Sequence, residues 1–139
     1  MVHALEKCHS LLKPDGYLVD IHALAHPPLI EIESEDGLLA AGPLLDRSNF
    51  QRYHQAFEAI DKSVDMNLFA FEFKRSAGYQ ILIDSYLSFQ DWMAEQWDTS
   101  YLPRKTEELI EKTMSTSSGA SRLVVSKKAQ VTVLRALSI

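Results

Sequence analysis

One segment, from Leu11 to His22, constrains the fold more than any other, because it carries a complete change from helix to strand. Before it, apolar side chains recur at helical spacing, which predicts an amphipathic helix over residues 2 to about 13. These apolar side chains are Leu5, Cys8 and Leu12. Pro14 ends the helix, and the Asp-Gly pair after it can form a turn. Alternating side chains then predict a strand over residues 17 to 23, so the chain begins with a helix–turn–strand unit.

Composition limits the class of protein. The 139 residues are 46% hydrophobic and 24% charged, which is enough apolar material for the core of one globular domain over residues 1–139. The net charge is −5 without a basic cluster, so we expect no nucleic-acid partner. Cys8 is the single cysteine, which excludes an intrachain disulfide and a cysteine-based metal site. Without a membrane-spanning apolar run or a signal-peptide core, we expect a cytoplasmic protein with no membrane partner.

Strands and helices alternate along the rest of the chain. Residues 29 to 42 are predicted to form a β-hairpin around an Asp-Gly turn. A helix is predicted over residues 48 to 64, with a capping box between Ser48 and Gln51 at its start. The later predicted elements are a bent strand near 68 to 83, a helix capped by Asp84-Ser85, a helix started by Pro103, and β-rich segments at 122–125 and 130–137 that form two strands or one irregular strand.

The segment LLKPDGYLVDIH, residues 11–22, resembles a motif of class I S-adenosylmethionine-dependent methyltransferases, in which a helix ends at a Pro-Gly turn before a strand. The order of the later elements is similar to the C-terminal half of that fold. Less specific similarities lie at Asp36-Gly37, Asp84-Ser85, Trp97, Pro103 and the VTVLR sequence at 131–135. The resemblance covers nearly the whole chain and implies the substrate-side half of a methyltransferase.

The resemblance also implies an α/β fold with a partial Rossmann-like sheet. We expect about three main strands with the last strand antiparallel in the middle, together with a β-hairpin and about four helices. The strand at 17–23 is expected at one edge and the strand near 68–83 at the other. The side chains that we expect helices to cover are Tyr17, Val19, Ile21, Phe69, Phe71, Phe73, Val131 and Val133.

S-adenosylmethionine is the cofactor that the resemblance implies. In the family, a Gly-rich loop after the first strand and an acidic residue after the second strand hold it. Neither feature has a counterpart between Met1 and Lys13. We therefore expect that this chain alone binds no cofactor and transfers no methyl group, and that a missing N-terminal half would be its partner.

Three polar residues are candidates for substrate binding. His22 lies at the carboxyl end of the first predicted strand, where open α/β sheets place ligands, and His26 follows it. Asp20 shares a face of the strand with His22 and can orient its imidazole. The alternatives are a solvent-facing or hydrogen-bonded loop histidine and a partly exposed acid at a sheet edge. We expect no metal site, because no further ligand pattern lies near these histidines.

Three functions remain open: the substrate-side half of a methyltransferase, a stand-alone binding or assembly module without catalysis, and an unrelated small α/β ligand-binding protein. The strand at 17–23 would be interior in a complete methyltransferase, so its second edge needs a neighbour. We therefore expect a homodimer that buries the 17–23 edge or the helix at 2–13. The predicted hairpin at 29–42 is the alternative cover for that edge.

Overall fold

The structure is a computed structural model that describes residues 1–97, 99–116 and 120–138, with the side chain of residue 96 excepted. These residues form an α/β protein, which confirms the predicted class and the number of four helices. The helices are α1 Val2–Leu11, α2 Gln51–Asp65, α3 Tyr86–Gln96 and α4 Arg104–Thr116. The strands are β1 Tyr17–Ala23, β2 Leu29–Ser34, β3 Gly37–Pro43, β4 Leu45–Asp46, β5 Phe69–Ile83, β6 Ser100–Tyr101 and β7 Arg122–Ala136.

The strands form two antiparallel sheets, so the expectation of about three main strands is wrong. Five strands, β1, β2, β3, β5 and β7, belong to the larger sheet, while β4 and β6 form a sheet of two. The β4 and β6 segments are only two residues long, which is too short for alternation to reveal them. The two β-rich segments after residue 121 form one continuous strand, β7. The strand predicted near 68–83 is also one continuous strand, β5.

The residues divide into two compact units. Unit 1 comprises residues 1–25, 50–77 and the chain from residue 128 on, and unit 2 comprises residues 26–49 and 78–127. The single domain over residues 1–139 stays a prediction. No helix of the described residues is long and apolar enough to cross a membrane.

In unit 1, β7 hydrogen-bonds to both β1 and β5, as predicted for the C-terminal strand. The pairing of β1 with β7 is antiparallel, with Val19 opposite Val133. Helices α1 and α2 pack on one face of these strands. The buried side chains of this core are Ile60, Phe69, Leu134 and Ala136, and those packed against them are Leu5, Leu12, Leu18, Val64 and Leu68.

The face of β1 that the helices cover is the opposite of the predicted one. Tyr17, Val19 and Ile21 are 59%, 56% and 65% exposed, whereas Leu18 packs against the core. On β5, Phe69 is buried as predicted, whereas Phe71 and Phe73 are largely exposed. On β1, strand alternation predicts correctly which residues share a face, but tertiary packing decides which face is buried.

In unit 2, the hairpin of β2 and β3 forms as predicted, and β2 pairs antiparallel with the first part of β7. Ile30 and Ile32, which alternate with exposed or half-buried neighbours on β2, join the core beneath α3 and α4. The other buried members of this core are Leu44, Ile83, Phe89, Ile110, Leu123 and Val125.

The helix starts show how local hydrogen bonds select a boundary. Ser85 caps α3 as predicted, because its hydroxyl oxygen accepts a hydrogen bond from the Ser88 N–H. The capping box predicted for α2 is wrong. The Ser48 hydroxyl instead donates to Asp46, 2.5 Å away, and α2 begins after Phe50, which has a left-handed backbone conformation.

Candidate functional site

Asp20 and His22 form a hydrogen-bonded pair on β1. They are two residues apart on a strand, so both side chains lie on the face that packs against the helices of unit 1. His22 Nδ1 donates to Asp20 Oδ2. This contact confirms that Asp20 is placed to orient the imidazole, while a role of the pair in substrate binding stays a prediction.

The hydrogen bond to Asp20 determines the state of the other His22 nitrogen. An ionised carboxylate only accepts hydrogen bonds, so Nδ1 carries the proton and Nε2 of the neutral ring presents a lone pair. Nε2 is buried and has no hydrogen-bond partner among the described residues. The His22 side chain is 14% exposed, and its ring centroid lies 4.2 Å from that of Phe57 on α2. Phe57 therefore packs directly against the ring that carries the unsatisfied acceptor.

His26 belongs to a different unit from Asp20 and His22. It is exposed, it lies in the loop between β1 and β2, and it belongs to unit 2. Of the three residues predicted for substrate binding, the structure joins Asp20 and His22 by a hydrogen bond. Among the described residues, no group of three or more His, Cys, Asp or Glu side chains is placed to hold a metal ion.

The backbone of β1 has an open edge, which we define as the outward N–H and C=O groups of Tyr17, Val19 and Ile21. The Ala136 N–H donates to Gly16 O, and the Leu24 N–H donates to Lys128 O. Because hydrogen-bonded pairs alternate in an antiparallel ladder, Leu18, Asp20 and His22 bond to β7, and the odd-numbered residues direct their groups away from it. Among the described residues, β7 is the one strand that pairs with β1.

The same three odd-numbered residues form an exposed apolar row, which we call the open face. Their partners in register on β7 are Val131, Val133 and Arg135, which are half-buried. Arg135 is engaged by two carboxylates: it donates to Glu72 at 2.6 Å and to Asp15 at 2.9 Å. These hydrogen bonds raise the pKa of Arg135. A contiguous apolar surface of this kind on a folded protein marks an interaction site more often than a solvated one.

The glycine-rich loop that the resemblance implies for S-adenosylmethionine is not found among the described residues. The described glycines, Gly16, Gly37, Gly42 and Gly78, lie in separate turns or strands and form no glycine-rich loop. Residues 2–11, which precede the Pro-Asp-Gly turn, are helical. We therefore assign no residue of this chain to the cofactor.

Unit 2 contains a groove with a volume of about 1320 Å³. Its acidic lining residues are Glu33, Glu35, Asp84, Glu108 and Glu111. Glu33 forms an ion pair with Arg122, and Glu108 forms one with Arg104 at 2.7 Å. The acidic residues outnumber the basic lining residues Lys112 and Arg122, so this groove disfavours anionic ligands.

Lys127 lies between the two predicted β-rich segments at 122–125 and 130–137 and belongs to β7. Lys127 Nζ is 3.8 Å from the ring centroid of Trp97 and 6.0 Å from that of Tyr79. Burial lowers the pKa of Lys127 to about 8. Trp97 is 30 residues earlier in the chain, and no local sequence pattern indicates this contact.

Comparison of this chain with protein-family models, with curated proteins and with solved structures found no match. In unit 1, β1 carries the paired Asp20 and His22 on one face and an exposed apolar row on the other.

Proposed function

We propose that this chain is a methyltransferase-like protein, the substrate-side half of a class I S-adenosylmethionine-dependent methyltransferase, and that it is inactive alone. The observation that carries the proposal is the pairing of the last strand, β7, with both β1 and β5, antiparallel to β1. A final strand inserted in this way is the arrangement that the resemblance of residues 11–22 implies. The sequence motif and the strand pairing thus support the same hypothesis from different observations.

The open face and the open edge give the proposal its second support. The side chains of Tyr17, Val19 and Ile21 are exposed. They therefore lack the hydrophobic stabilisation that a covering layer of helices would supply. The unpaired backbone groups of the same residues can accept another strand. Both features are expected of a strand whose natural neighbour and covering helices belong to a cofactor-binding half.

Within this proposal, Asp20, His22 and His26 remain the candidates for substrate binding. The buried Nε2 of His22 would accept a hydrogen bond from a substrate hydroxyl or amine. Phe57 covers the ring and would have to move for that bond to form. Asp20 would then act as a positioning residue that keeps the proton on Nδ1.

The test uses titration calorimetry and the coding sequence upstream of Met1. We expect no binding of S-adenosylmethionine by the purified chain at micromolar concentration. A Gly-x-Gly-x-Gly strand–loop–helix unit encoded upstream, and S-adenosylmethionine binding when that unit is co-expressed with this chain, would support the proposal. If the isolated chain binds S-adenosylmethionine with low-micromolar affinity, the proposal that it is inactive without a partner is wrong. If an encoded unit does not confer binding, or if the upstream gene is unrelated, the proposal that this chain is half of a methyltransferase is wrong.

The alternative function is a stand-alone homodimeric binding or assembly module, and the register of the open edge favours it. If two copies of β1 pair antiparallel about a two-fold axis at Val19, Tyr17 faces Ile21 of the second copy, and only apolar pairs meet on the open face. On the other face, Asp20 faces Leu18 of the second copy, so like charges do not oppose each other. The edge is therefore self-complementary. The surface of α1 is the second candidate interface.

Light scattering tests the dimer with two variants at one position. Val19→Pro removes an outward N–H without removing a bond to β7, whereas Val19→Ala shortens the side chain and keeps the N–H. We expect the wild-type protein and the Val19→Ala variant to be dimers. The Val19→Pro variant should be a monomer with an unchanged circular dichroism spectrum. A monomeric wild type would reject the homodimer. A dimeric Val19→Pro variant would reject the β1 edge and favour the surface of α1.

A further inference from the structure

Unit 2 also contains a smaller cavity of about 340 Å³, lined by α3, β6 and the first turn of α4. This volume lies within the range of about 300–1,000 Å³ that is usual for small-molecule sites. One lining side chain, Phe89, is fully buried, whereas Gln90, Ala94 and Tyr101 are exposed. The lining therefore extends from the core of unit 2 to its surface, and a molecule in solution can enter the cavity.

The cavity is rich in aromatic side chains, and we call it the aromatic pocket. Tyr86 and Phe89 stack, with ring centroids 6.4 Å apart and an angle of 23° between the ring planes. Aromatic rings attract one another in offset-stacked and edge-to-face arrangements beyond the effect of burial, so this lining favours a ligand with an aromatic ring. The aromatic residues of the pocket are Tyr86, Phe89, Trp97 and Tyr101, and its other apolar residues are Met93, Ala94 and Leu102.

One cation and one carboxylate lie among the described lining residues, Arg47 and Glu107. The guanidinium carbon of Arg47 is 5.8 Å from the ring centroid of Tyr101, and Arg47 forms no ion pair with a described residue. Glu107 accepts the hydrogen bond of Tyr86 through Oε1, which leaves Oε2 without a donor among the described residues. The aromatic pocket therefore offers a binding group of each charge to a ligand.

We propose that the aromatic pocket binds a free aromatic amino acid. The ring of the ligand packs against the aromatic lining, its carboxylate pairs with the Arg47 guanidinium, and its ammonium pairs with Glu107. Both charged residues line the same small cavity, so one molecule that fills it lies beside both. The pocket lies wholly in unit 2, and the inference does not depend on the proposed methyltransferase half.

The experiment follows the backbone and indole N–H signals of the nitrogen-labelled full chain by nuclear magnetic resonance while a ligand is added. L-tryptophan is the probe. Tryptamine lacks the carboxylate, 3-indolepropionate lacks the ammonium, and L-leucine keeps both charges but lacks the ring. We expect L-tryptophan to shift the signals of Trp97 and Tyr101 with a dissociation constant below about 1 mM, as ordinary ligand efficiency gives for a molecule of this size. Each of the other three ligands should bind about ten-fold more weakly.

Two variants assign the charged contacts. Arg47→Gln should weaken the binding of L-tryptophan about ten-fold and leave the affinity for tryptamine unchanged, because tryptamine has no carboxylate. Glu107→Gln should weaken the binding of L-tryptophan and leave the affinity for 3-indolepropionate unchanged. Arg104→Gln and Glu108→Gln are the matched controls and should bind L-tryptophan as the wild type does, because these exposed residues do not line the pocket.

Three results with the wild-type protein would overturn the proposal without reference to the folding of any variant. The first is the absence of shifts at Trp97 and Tyr101 when L-tryptophan is added to millimolar concentration. The second is a set of shifts that lies outside the aromatic pocket. The third is equal affinity for L-tryptophan and any one of the other three ligands, since the ring, the carboxylate or the ammonium would then contribute nothing.

Discussion

Tyr86 donates its phenolic hydrogen to a carboxylate oxygen of Glu107, 3.0 Å away, and so joins the first turn of α3 to the first turn of α4. Burial of the hydroxyl is the largest cause of a raised pKa, and the hydrogen bond to Glu107 adds to it. Together with the charges of Glu107 and Glu111, these effects raise the pKa of Tyr86 from 10.0 to about 12. Burial of Tyr86 and its hydrogen bond to Glu107 together make the stability of unit 2 fall at alkaline pH.

We expect Tyr86→Phe to remove part of the alkaline loss of stability. The folded-state pKa of Tyr86 lies above its unfolded value, so the folded state holds the proton more tightly between about pH 10 and pH 12. The stabilisation is complete below pH 10 and is lost as the pH rises through 12. Because the side chain is partly exposed, we expect an effect on the order of 1 kcal/mol. Urea unfolding of both proteins at a series of pH values measures it.

Tyr17→Phe is the matched control for this prediction. Tyr17 is an exposed tyrosine on β1, and its replacement should change the free energy of unfolding at neutral pH by less than about 0.5 kcal/mol. If Tyr86→Phe and wild type lose stability in parallel between about pH 10 and pH 12, the Tyr86 hydroxyl does not hold its proton in the folded state.

Lys127→Met should have the opposite dependence on pH. The folded-state pKa of Lys127 is lowered, so the unfolded state binds more protons between about pH 8 and pH 10.5, and wild-type stability rises across this range. The methionine variant lacks this rise. It should be more stable than wild type near pH 7, on the order of 1 kcal/mol, since the lost cation–π contact offsets part of the relieved desolvation. Denaturant unfolding measures the difference, and Lys128→Met, at an exposed position, should show none of it.

The hairpin of β2 and β3 could be predicted from sequence because its cause is local. The turn residues are Glu35 and Asp36, one position earlier than the predicted Asp-Gly pair, and Gly37 at the start of β3 has a φ of +118°, which favours glycine. The Ser85 cap was predictable for the same reason, since its partner Ser88 is three residues away. The start of α2 could not be predicted in this way, because the Ser48 side chain hydrogen-bonds to Asp46 rather than to the helix.

The candidate site could be predicted only in part. Strand alternation places Asp20 beside His22, and the structure confirms that contact. Alternation does not determine that Phe57, from a helix more than thirty residues later, packs on the imidazole. It also does not determine which face of β1 meets the helices, because both faces carry apolar residues.

We expect the neutral form of His22 to carry its proton on Nδ1. Long-range proton–nitrogen correlation spectra distinguish the two ring nitrogens, and Nε2 should give the signal of an unprotonated nitrogen. Asp20→Ala removes the acceptor that fixes this tautomer, so the ring should populate both neutral forms. The variant should also lose about 1–3 kcal/mol of stability. Asp36→Ala, at an exposed acid of the hairpin, should leave the His22 signals unchanged, and a protonated Nε2 in the neutral wild type would contradict the prediction.

Gly42→Ala should destabilise unit 2 more than Gly37→Ala, although both glycines have a positive φ. A Cβ at Gly42 would overlap the side chain of Thr106 on α4, which is buried, whereas a Cβ at Gly37 would meet no atom within 4 Å. Both variants incur backbone strain of about 1–3 kcal/mol. Gly42→Ala adds about 1–3 kcal/mol of overpacking. Urea unfolding gives the two free energies.

The overlap also predicts that Gly42→Ala and Thr106→Ala are coupled. Thr106→Ala alone removes buried atoms and should destabilise the protein, but in the Gly42→Ala background it also relieves the clash. The double variant should therefore be more stable than the sum of the single changes predicts, by about 0.5–3 kcal/mol. The same cycle with Gly37→Ala should be additive within about 0.5 kcal/mol, because Gly37 has no contact with Thr106. Additivity in both cycles would mean that α4 moves to accept the new methyl group, and Gly42 would then be required for its φ of +142° alone.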